Sequence, residues 1–226
     1  NHFASIKREL TKAKIFAITG SAGKTSLKNL IGELMQNFGA TFSSPKSYNN
    51  HYGVPLSLSQ LNLHHKYGIF EIGMSKAGEI NSLTKLVRPH IGIITNIGEA
   101  HIENFKNLRG IADAKGELIN NIEEKGTIIL NRDDKFFNYL EKKAKIKNLK
   151  VLTFGENKNS DICLKKVIAK KNNKVLKIKI INQTLKIIIK NINYYNVLSS
   201  LALLKALNLN FSQILNFYKN IQPTEG

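Results

Sequence analysis

The chain has 226 residues, 42% of them hydrophobic and 22% charged, which allows one sizeable core and excludes a disordered chain. Its net charge of +18 comes from lysines spread along the chain with few aromatics between them, so no nucleic-acid partner is expected. One cysteine, Cys163, excludes an intrachain disulfide framework and fits a reducing, cytoplasmic setting, and no apolar run is long enough to insert into a bilayer.

Residues 14–19 (KIFAIT) are apolar and β-prone and end at Gly20, which predicts a buried strand. Leu27, Leu30, Ile31, Leu34, Met35 and Phe38 then recur at helical spacing, and Gly39 closes the helix. Residues 67–72 and 90–95 predict two more strands. Between them a helix over 78–87 stops before Pro89. The pattern continues with a helix over 107–122, a strand over 126–131, a helix over 133–145 and a strand over 151–154. Alternating strands and helices predict an α/β fold: a P-loop-type, mostly parallel sheet flanked by helices.

After Gly155 the pattern changes. Residues 161–169, 174–181 and 184–190 read as strands with no helix between them, and Asn172-Asn173 and Asn182-Gln183 stand where hairpin turns belong. This predicts a small antiparallel sheet within 156–191, packed beside the main one. Residues 196–207 and 211–220 predict two closing helices.

Four stretches carry chemistry. Gly20-Ser21-Ala22-Gly23-Lys24-Thr25 lies between a buried strand and an amphipathic helix. There, backbone N–H groups at a helix N-terminus cradle phosphate, Lys24 reaches the β- and γ-phosphates, and the Thr25 hydroxyl holds Mg²⁺. The spacing is short, with Ile18 where another glycine usually stands. Glu71 ends a strand at the sheet edge where open α/β sheets bind ligands, a place for a metal-binding carboxylate or an ordinary exposed Glu. His101 follows the strand over 90–95 and reads as a metal ligand or a hydrogen-bonded loop histidine. Lys115 lies on a helix among Asp113 and Glu117, and local physics alone does not single it out.

Taken in order, T-G-S-A-G-K-T (19–25), Y-N-N-H-Y-G-V-P (48–55), E-I-G-M-S-K-A-G-E-I (71–80), T-N-I-G-E-A-H (95–101) and A-K-G-E (114–117) resemble the central, ATP-binding domain of the Mur ligases. The second and third stretches favour the branch that adds D-Ala-D-Ala to UDP-MurNAc-tripeptide. The resemblance implies an amide-forming ligase that uses ATP and two Mg²⁺ ions. ATP phosphorylates the tripeptide carboxylate, and the amine of D-Ala-D-Ala attacks the acyl phosphate. It further implies a metal set of Thr25, Glu71, His101 and a carbamylated Lys115, with Lys24, His101 and Lys115 as the catalytic group. Asn49 and Asn50 are implied near phosphate and substrate, Asn96 in a supporting place, and Asn196 against adenine. Family members often carry H-N-V-x-N at that last site, whereas here Tyr195 replaces the His and Ser199 the second Asn.

By the same resemblance, residues 1–226 form a single central domain, expected to be monomeric, whose N-terminal UDP-binding and C-terminal companions are absent. The chain alone is then expected to bind nucleotide weakly and not to ligate. Other readings remain open: another Mur-type ligase, a folylpolyglutamate- or cyanophycin-type ligase, or a basic P-loop regulator or nucleic-acid-stimulated ATPase.

Overall fold

The structure, a computed structural model, describes residues 1–181 and 183–221. The chain opens with α1 (His2–Leu10), β1 (Lys14–Thr19), α2 (Lys24–Gln36), β2 (Thr41–Ser43) and α3 (Gly53–Ser59). It continues with β3 (Tyr67–Glu71), α4 (Glu79–Val87), β4 (Ile91–Ile94), α5 (Leu108–Asn120), β5 (Thr127–Asn131), α6 (Phe137–Ile146) and β6 (Lys150–Gly155). Three strands, β7 (Ile162–Lys170), β8 (Asn173–Ile180) and β9 (Gln183–Ile189), lead into α7 (Tyr194–Ala206) and α8 (Phe217–Asn220).

These strands form one sheet in the order β2-β3-β1-β4-β5-β6-β7-β8-β9. The pairs from β2 to β7 are parallel, and β7-β8 and β8-β9 are antiparallel. The antiparallel strands therefore extend the main sheet instead of packing beside it as a second one. The join is short: Phe154 pairs with Ile162 and Gly155 with Cys163. Asp161 fixes it, accepting the Thr153 N–H at 3.0 Å, the Thr153 hydroxyl at 2.8 Å and the Lys205 ammonium at 2.8 Å.

Both faces of the sheet are covered, which is why its central strands are apolar throughout. On one face Phe16 and Ile18 pack with Leu27 and Ile31 of α2 and Leu198 and Leu201 of α7. On the other, Ile15 and Ala17 pack with Val54, Ile80, Ile111 and Leu140 of α3 to α6. β1 lies between β3 and β4, so the chain leaves it in one direction and returns on the other side. Such a switch point opens a crevice at the carboxyl ends of the strands. The loops after β1, β3 and β4 meet there.

Several elements differ from expectation. α1, β2 and α3 carry no clear signal in the sequence; α1 is docked by the buried Arg8, which donates to the Val87 carbonyl at 2.6 Å and pairs with Glu123 at 3.3 Å. The helix expected from Asp133 begins at Phe137 because Asp133 and Asp134 spend their carboxylates on backbone N–H groups, those of Glu156, Asn157, Ile97 and Phe136. The helix expected over 211–220 is a 3₁₀ turn, Phe211–Ile214, followed by the one-turn α8. The first hairpin turn is centred on Lys171-Asn172, one residue early, since Lys170 pairs with Asn173. Asn182 of the second turn and the end of the chain after Ile221 lie outside the described residues. Among the described residues no helix is long and apolar enough to cross a membrane.

Candidate active site

The phosphate loop runs from the end of β1 into α2. Gly20 has φ +152° and Gly23, the residue before α2, has φ +77°. A Cβ on Gly20 would stand 1.8 Å from Thr95 Oγ1 and 3.2 Å from the Thr95 backbone nitrogen. Only glycine fits where the loop crosses the end of β4. The loop after β4 then supports it. Ser21 N–H donates to the Asn96 carbonyl at 3.0 Å, Ala22 N–H to Asn96 Oδ1 at 3.0 Å, and the Thr95 hydroxyl to the Ala22 carbonyl at 2.8 Å. The Ser21 hydroxyl donates to the Gly98 carbonyl at 2.9 Å and accepts from the Gly98 N–H at 2.8 Å. Asn196 is buried at the start of α7, with Oδ1 3.5 Å from where a Gly23 Cβ would lie.

The first turns of α2 face the end of β3. Lys24 donates to the Gly20 carbonyl at 2.9 Å, and the Thr25 hydroxyl donates to Glu71 Oε2 at 2.8 Å. Glu71 is 1% exposed, and Asn49 donates to its other oxygen, Oε1, at 2.7 Å. The Ser44 hydroxyl accepts the Glu71 N–H at 3.2 Å, and the Asn49 carbonyl accepts the Gly73 N–H at 2.8 Å, so the segment from Ser44 to Asn50 is fastened to the strand end. At the start of α3, Asn50 Oδ1 accepts the N–H groups of Tyr52 and Gly53.

A cavity of about 920 Å³ opens in front of this assembly. Lys24, Asn49, Asn50, His101 and Lys115 are on its wall; Thr25 and Glu71 are not, and Glu71 is linked to it by Asn49. Lys115 is 2% exposed on α5. Burial, followed by repulsion from Lys24, pushes its ammonium down to about 7. Lys24 is also held below the usual lysine range by burial, with Glu71 acting in the opposite direction. His101 sits in a left-handed turn, φ +64°, with its half-exposed ring 3.9 Å from Glu103.

Sequence reasoning singles out the loop, Glu71, His101, Lys115 and the asparagines, and the fold gathers all of them at one end of the sheet. Of the expected metal set, Thr25 and Glu71 are in contact with each other, while His101 and Lys115 stand apart from them on the cavity wall. Lys28 is a site residue that sequence reasoning misses. It lies one turn beyond Lys24, is 1% exposed, donates to the Lys46 carbonyl and stands 3.9 Å from Glu71 Oε2. Its helical spacing from Lys24 and Thr25 is the available signal. Ser44 carries no signal in the sequence. Among the described residues no three His, Cys, Asp or Glu side chains form a metal cage. A hydroxyl and a carboxylate meeting at 2.8 Å nevertheless fit Mg²⁺, a hard cation that takes few protein oxygens and keeps several waters.

A glycine-tight phosphate loop at the switch point of a mostly parallel sheet, with a buried carboxylate behind its helix, defines a P-loop-type nucleotide-binding α/β protein. The chain matches the Mur ligase middle domain over residues 18–204 and belongs to the Mur ligase family. It is 36% identical over 200 residues to a UDP-N-acetylmuramoyl-tripeptide–D-alanyl-D-alanine ligase of Buchnera aphidicola subsp. Baizongia pistaciae, covering 88% of this chain and 43% of that protein. It is 36% identical over 155 residues to the ligase of the same name from Escherichia coli, covering 68% and 34%. The structure of MurF from Acinetobacter baumannii superposes with a TM-score of 0.92 at 27% identity, over 99% of this chain and 49% of that one. MurF from Thermotoga maritima in complex with ADP shares the fold, with a TM-score of 0.89 at 22% identity over 100% and 53%. The chain thus spans about half the length of these solved structures and less than half of these two relatives.

Proposed function

We propose that the chain is the nucleotide-binding part of an ATP-dependent ligase that joins D-Ala-D-Ala to UDP-MurNAc-tripeptide in peptidoglycan precursor synthesis. The observation that carries this reading is the shared cavity. Lys24 of the phosphate loop and the buried Lys115 of α5 face one space, with Asn49 linking that space to Glu71. The relatives' names supply the substrates, and the family supplies the reaction class.

In this reading Lys24 leaves the Gly20 carbonyl for the nucleotide phosphates, and the N–H groups at the start of α2 complete the cradle. Asn196, beside Gly23, takes the adenine end. Thr25 and Glu71 would hold one Mg²⁺, and His101 and a carbamylated Lys115 would hold the second. Bound Mg²⁺ supplies charge neutralisation and Lewis acidity at the transferred phosphoryl group. A buried lysine whose ammonium is pushed down to about 7 presents a neutral amine above that pH. That amine adds to CO₂ with loss of a proton, replacing a repelled cation by an oxygen anion. The substrate carboxylate attacks the γ-phosphorus and ADP leaves; the incoming neutral amine then attacks the acyl carbon, inorganic phosphate departs, and the proton lost from the nitrogen leaves with the phosphate or to solvent. Asn49 and Asn50 line the substrate side of the cavity, and Asn96 keeps the loop in shape. The enzyme acts as a cytoplasmic monomer on soluble precursors, without a nucleic-acid partner.

The test is phosphate release by the full-length enzyme with ATP, the UDP-linked tripeptide and a panel of amine acceptors. D-Ala-D-Ala should be preferred, and Lys24→Ala should abolish ATP binding. Preference for another acceptor would move the protein to a different branch of the family. Unchanged ATP affinity in Lys24→Ala would remove the loop as the site.

A further inference from the structure

Lys28 has no part in the scheme above, yet it is buried against the carboxylate at the heart of it. Its position on α2, three residues after Thr25 and four after Lys24, turns it to the same face of the helix. Its ammonium stands 3.9 Å from Glu71 Oε2, and both side chains are 1% exposed. The Lys46 carbonyl accepts a hydrogen bond from it and so tethers it to the segment that carries Asn49. Both Glu71 oxygens already accept a neutral donor, Thr25 at 2.8 Å and Asn49 at 2.7 Å. Lys28 therefore supplies charge more than a needed hydrogen bond.

The charges around Glu71 decide what the site attracts. One carboxylate faces Lys28 at 3.9 Å and, further off, Lys24, whose ammonium feels Glu71. A free divalent cation approaching Glu71 meets a carboxylate already matched by a cation that is too buried and too tethered to move aside. Opposite charges a few ångströms apart in a poorly solvated site interact far more strongly than in water, and so do like ones. A polyphosphate brings several negative charges, which reverses the balance.

We propose that Lys28 is a fixed countercation to Glu71 that makes divalent-metal binding here conditional on a polyphosphate: the metal enters with the nucleotide and not ahead of it. This rests on the proposed nucleotide site and deepens it. Lys28 touches no reacting atom and acts through Glu71.

The test titrates Mn²⁺ into the full-length enzyme by electron paramagnetic resonance, with and without ADP, for wild type, Lys28→Met and Lys28→Gln. Wild type should bind free Mn²⁺ weakly and bind it at least about tenfold tighter with ADP present, the scale expected when one nearby charge is offset. Both variants should bind free Mn²⁺ about tenfold or more tighter than wild type, which shrinks the ADP-dependent increment. Adding Glu71→Gln should erase that gain. Lys28→Gln keeps a donor for the Lys46 carbonyl, so it also carries the test if Lys28→Met does not fold. If Lys28 only braces the loop, Lys28→Gln will match wild type, and the proposal is overturned. Free-metal affinity unchanged or weaker in the folded variants overturns it as well. Absence of ADP-dependent Mn²⁺ binding in wild type would remove the nucleotide-site reading, and this proposal with it.

Discussion

The Thr25 hydroxyl donates to Glu71 Oε2 at 2.8 Å, joining the first turn of α2 to the end of β3 across 46 residues of sequence. In the proposed reading, these two groups hold the nucleotide's metal. Thr25→Val keeps the shape and removes the hydroxyl, whereas Thr25→Ser keeps it. Hydrogen bonds to charged groups contribute about 1.5–3 kcal/mol, so the valine variant should lose about tenfold or more in Mg²⁺-dependent ADP affinity. The serine variant should stay close to wild type. Calorimetry with and without Mg²⁺ separates the two, and equal metal dependence in Thr25→Val would deny the hydroxyl this role.

The two loop glycines should respond differently to alanine. At Gly20 the new Cβ would collide with Thr95 Oγ1 at 1.8 Å and press on backbone at 3.2 Å, with φ at +152°. At Gly23 the nearest atom is Asn196 Oδ1 at 3.5 Å, leaving only the cost of φ +77°. Gly23→Ala should therefore cost about 1 kcal/mol, and Gly20→Ala roughly 3 kcal/mol or more together with the loop's shape. Urea unfolding of both variants tests the ranking. Thr95→Gly combined with Gly20→Ala should recover only part of the loss, because the backbone contact and the φ strain remain.

Local signals make much of this site legible in the sequence. The loop is contiguous, a buried strand precedes it and an amphipathic helix follows it, so each level of the sequence agrees about Gly20 to Thr25. Glu71, His101 and Lys115 are different: nothing in their neighbourhoods separates them from a strand-end Glu, a loop His or a helical Lys. Only the ordered set of motifs, read as a family resemblance, raises them. The short β2, with three residues, and α3, with seven, carry too little periodicity to register. Lys28 stays hidden because a lysine on an amphipathic helix reads as solvated, and its burial arises from β3 and the segment after β2. The antiparallel strands are legible as strands, but their union with the main sheet depends on two residue pairs and on Asp161, which no alternation pattern encodes.

His90 makes the fold sensitive to mild acid. Its Nδ1 accepts the Ile15 N–H at 2.9 Å, and burial, with Arg8 and Lys14 nearby, lowers its titration from 6.5 to about 4. Between those values the unfolded chain binds a proton that the native chain refuses. Stability is therefore lost as pH falls from about 6.5 towards 4, by up to about 3 kcal/mol from this group. His90→Gln should flatten that limb of the stability–pH curve while lowering stability at pH 7. Urea midpoints at pH 7, 5.5 and 4.5 measure it, and an unchanged slope in the variant would assign the acid loss elsewhere.

Lys115 combines a cost with the use proposed for it. In CO₂-free buffer its buried ammonium opposes folding at full strength below about pH 7. The penalty fades as pH rises from 7 towards 10.5, because there the unfolded chain holds a proton that the native amine has released. Lys115→Met should therefore be more stable than wild type at pH 6.5, on the order of 3 kcal/mol after allowance for relaxation, with the difference shrinking in alkali. With ¹³C-bicarbonate, wild type should show one carbamate resonance whose intensity rises with pH through about 7, since only the neutral amine reacts; Lys115→Met should show none. Bicarbonate should also raise the thermal midpoint of wild type alone, as any ligand of the native state does. In the full-length enzyme Lys115→Ala should lower turnover by about 100-fold, as loss of an electrostatic group at a phosphoryl-transfer site does, and bicarbonate should not restore it. A fully active Lys115→Ala enzyme, or a carbamate signal that persists without this lysine, would contradict the assignment.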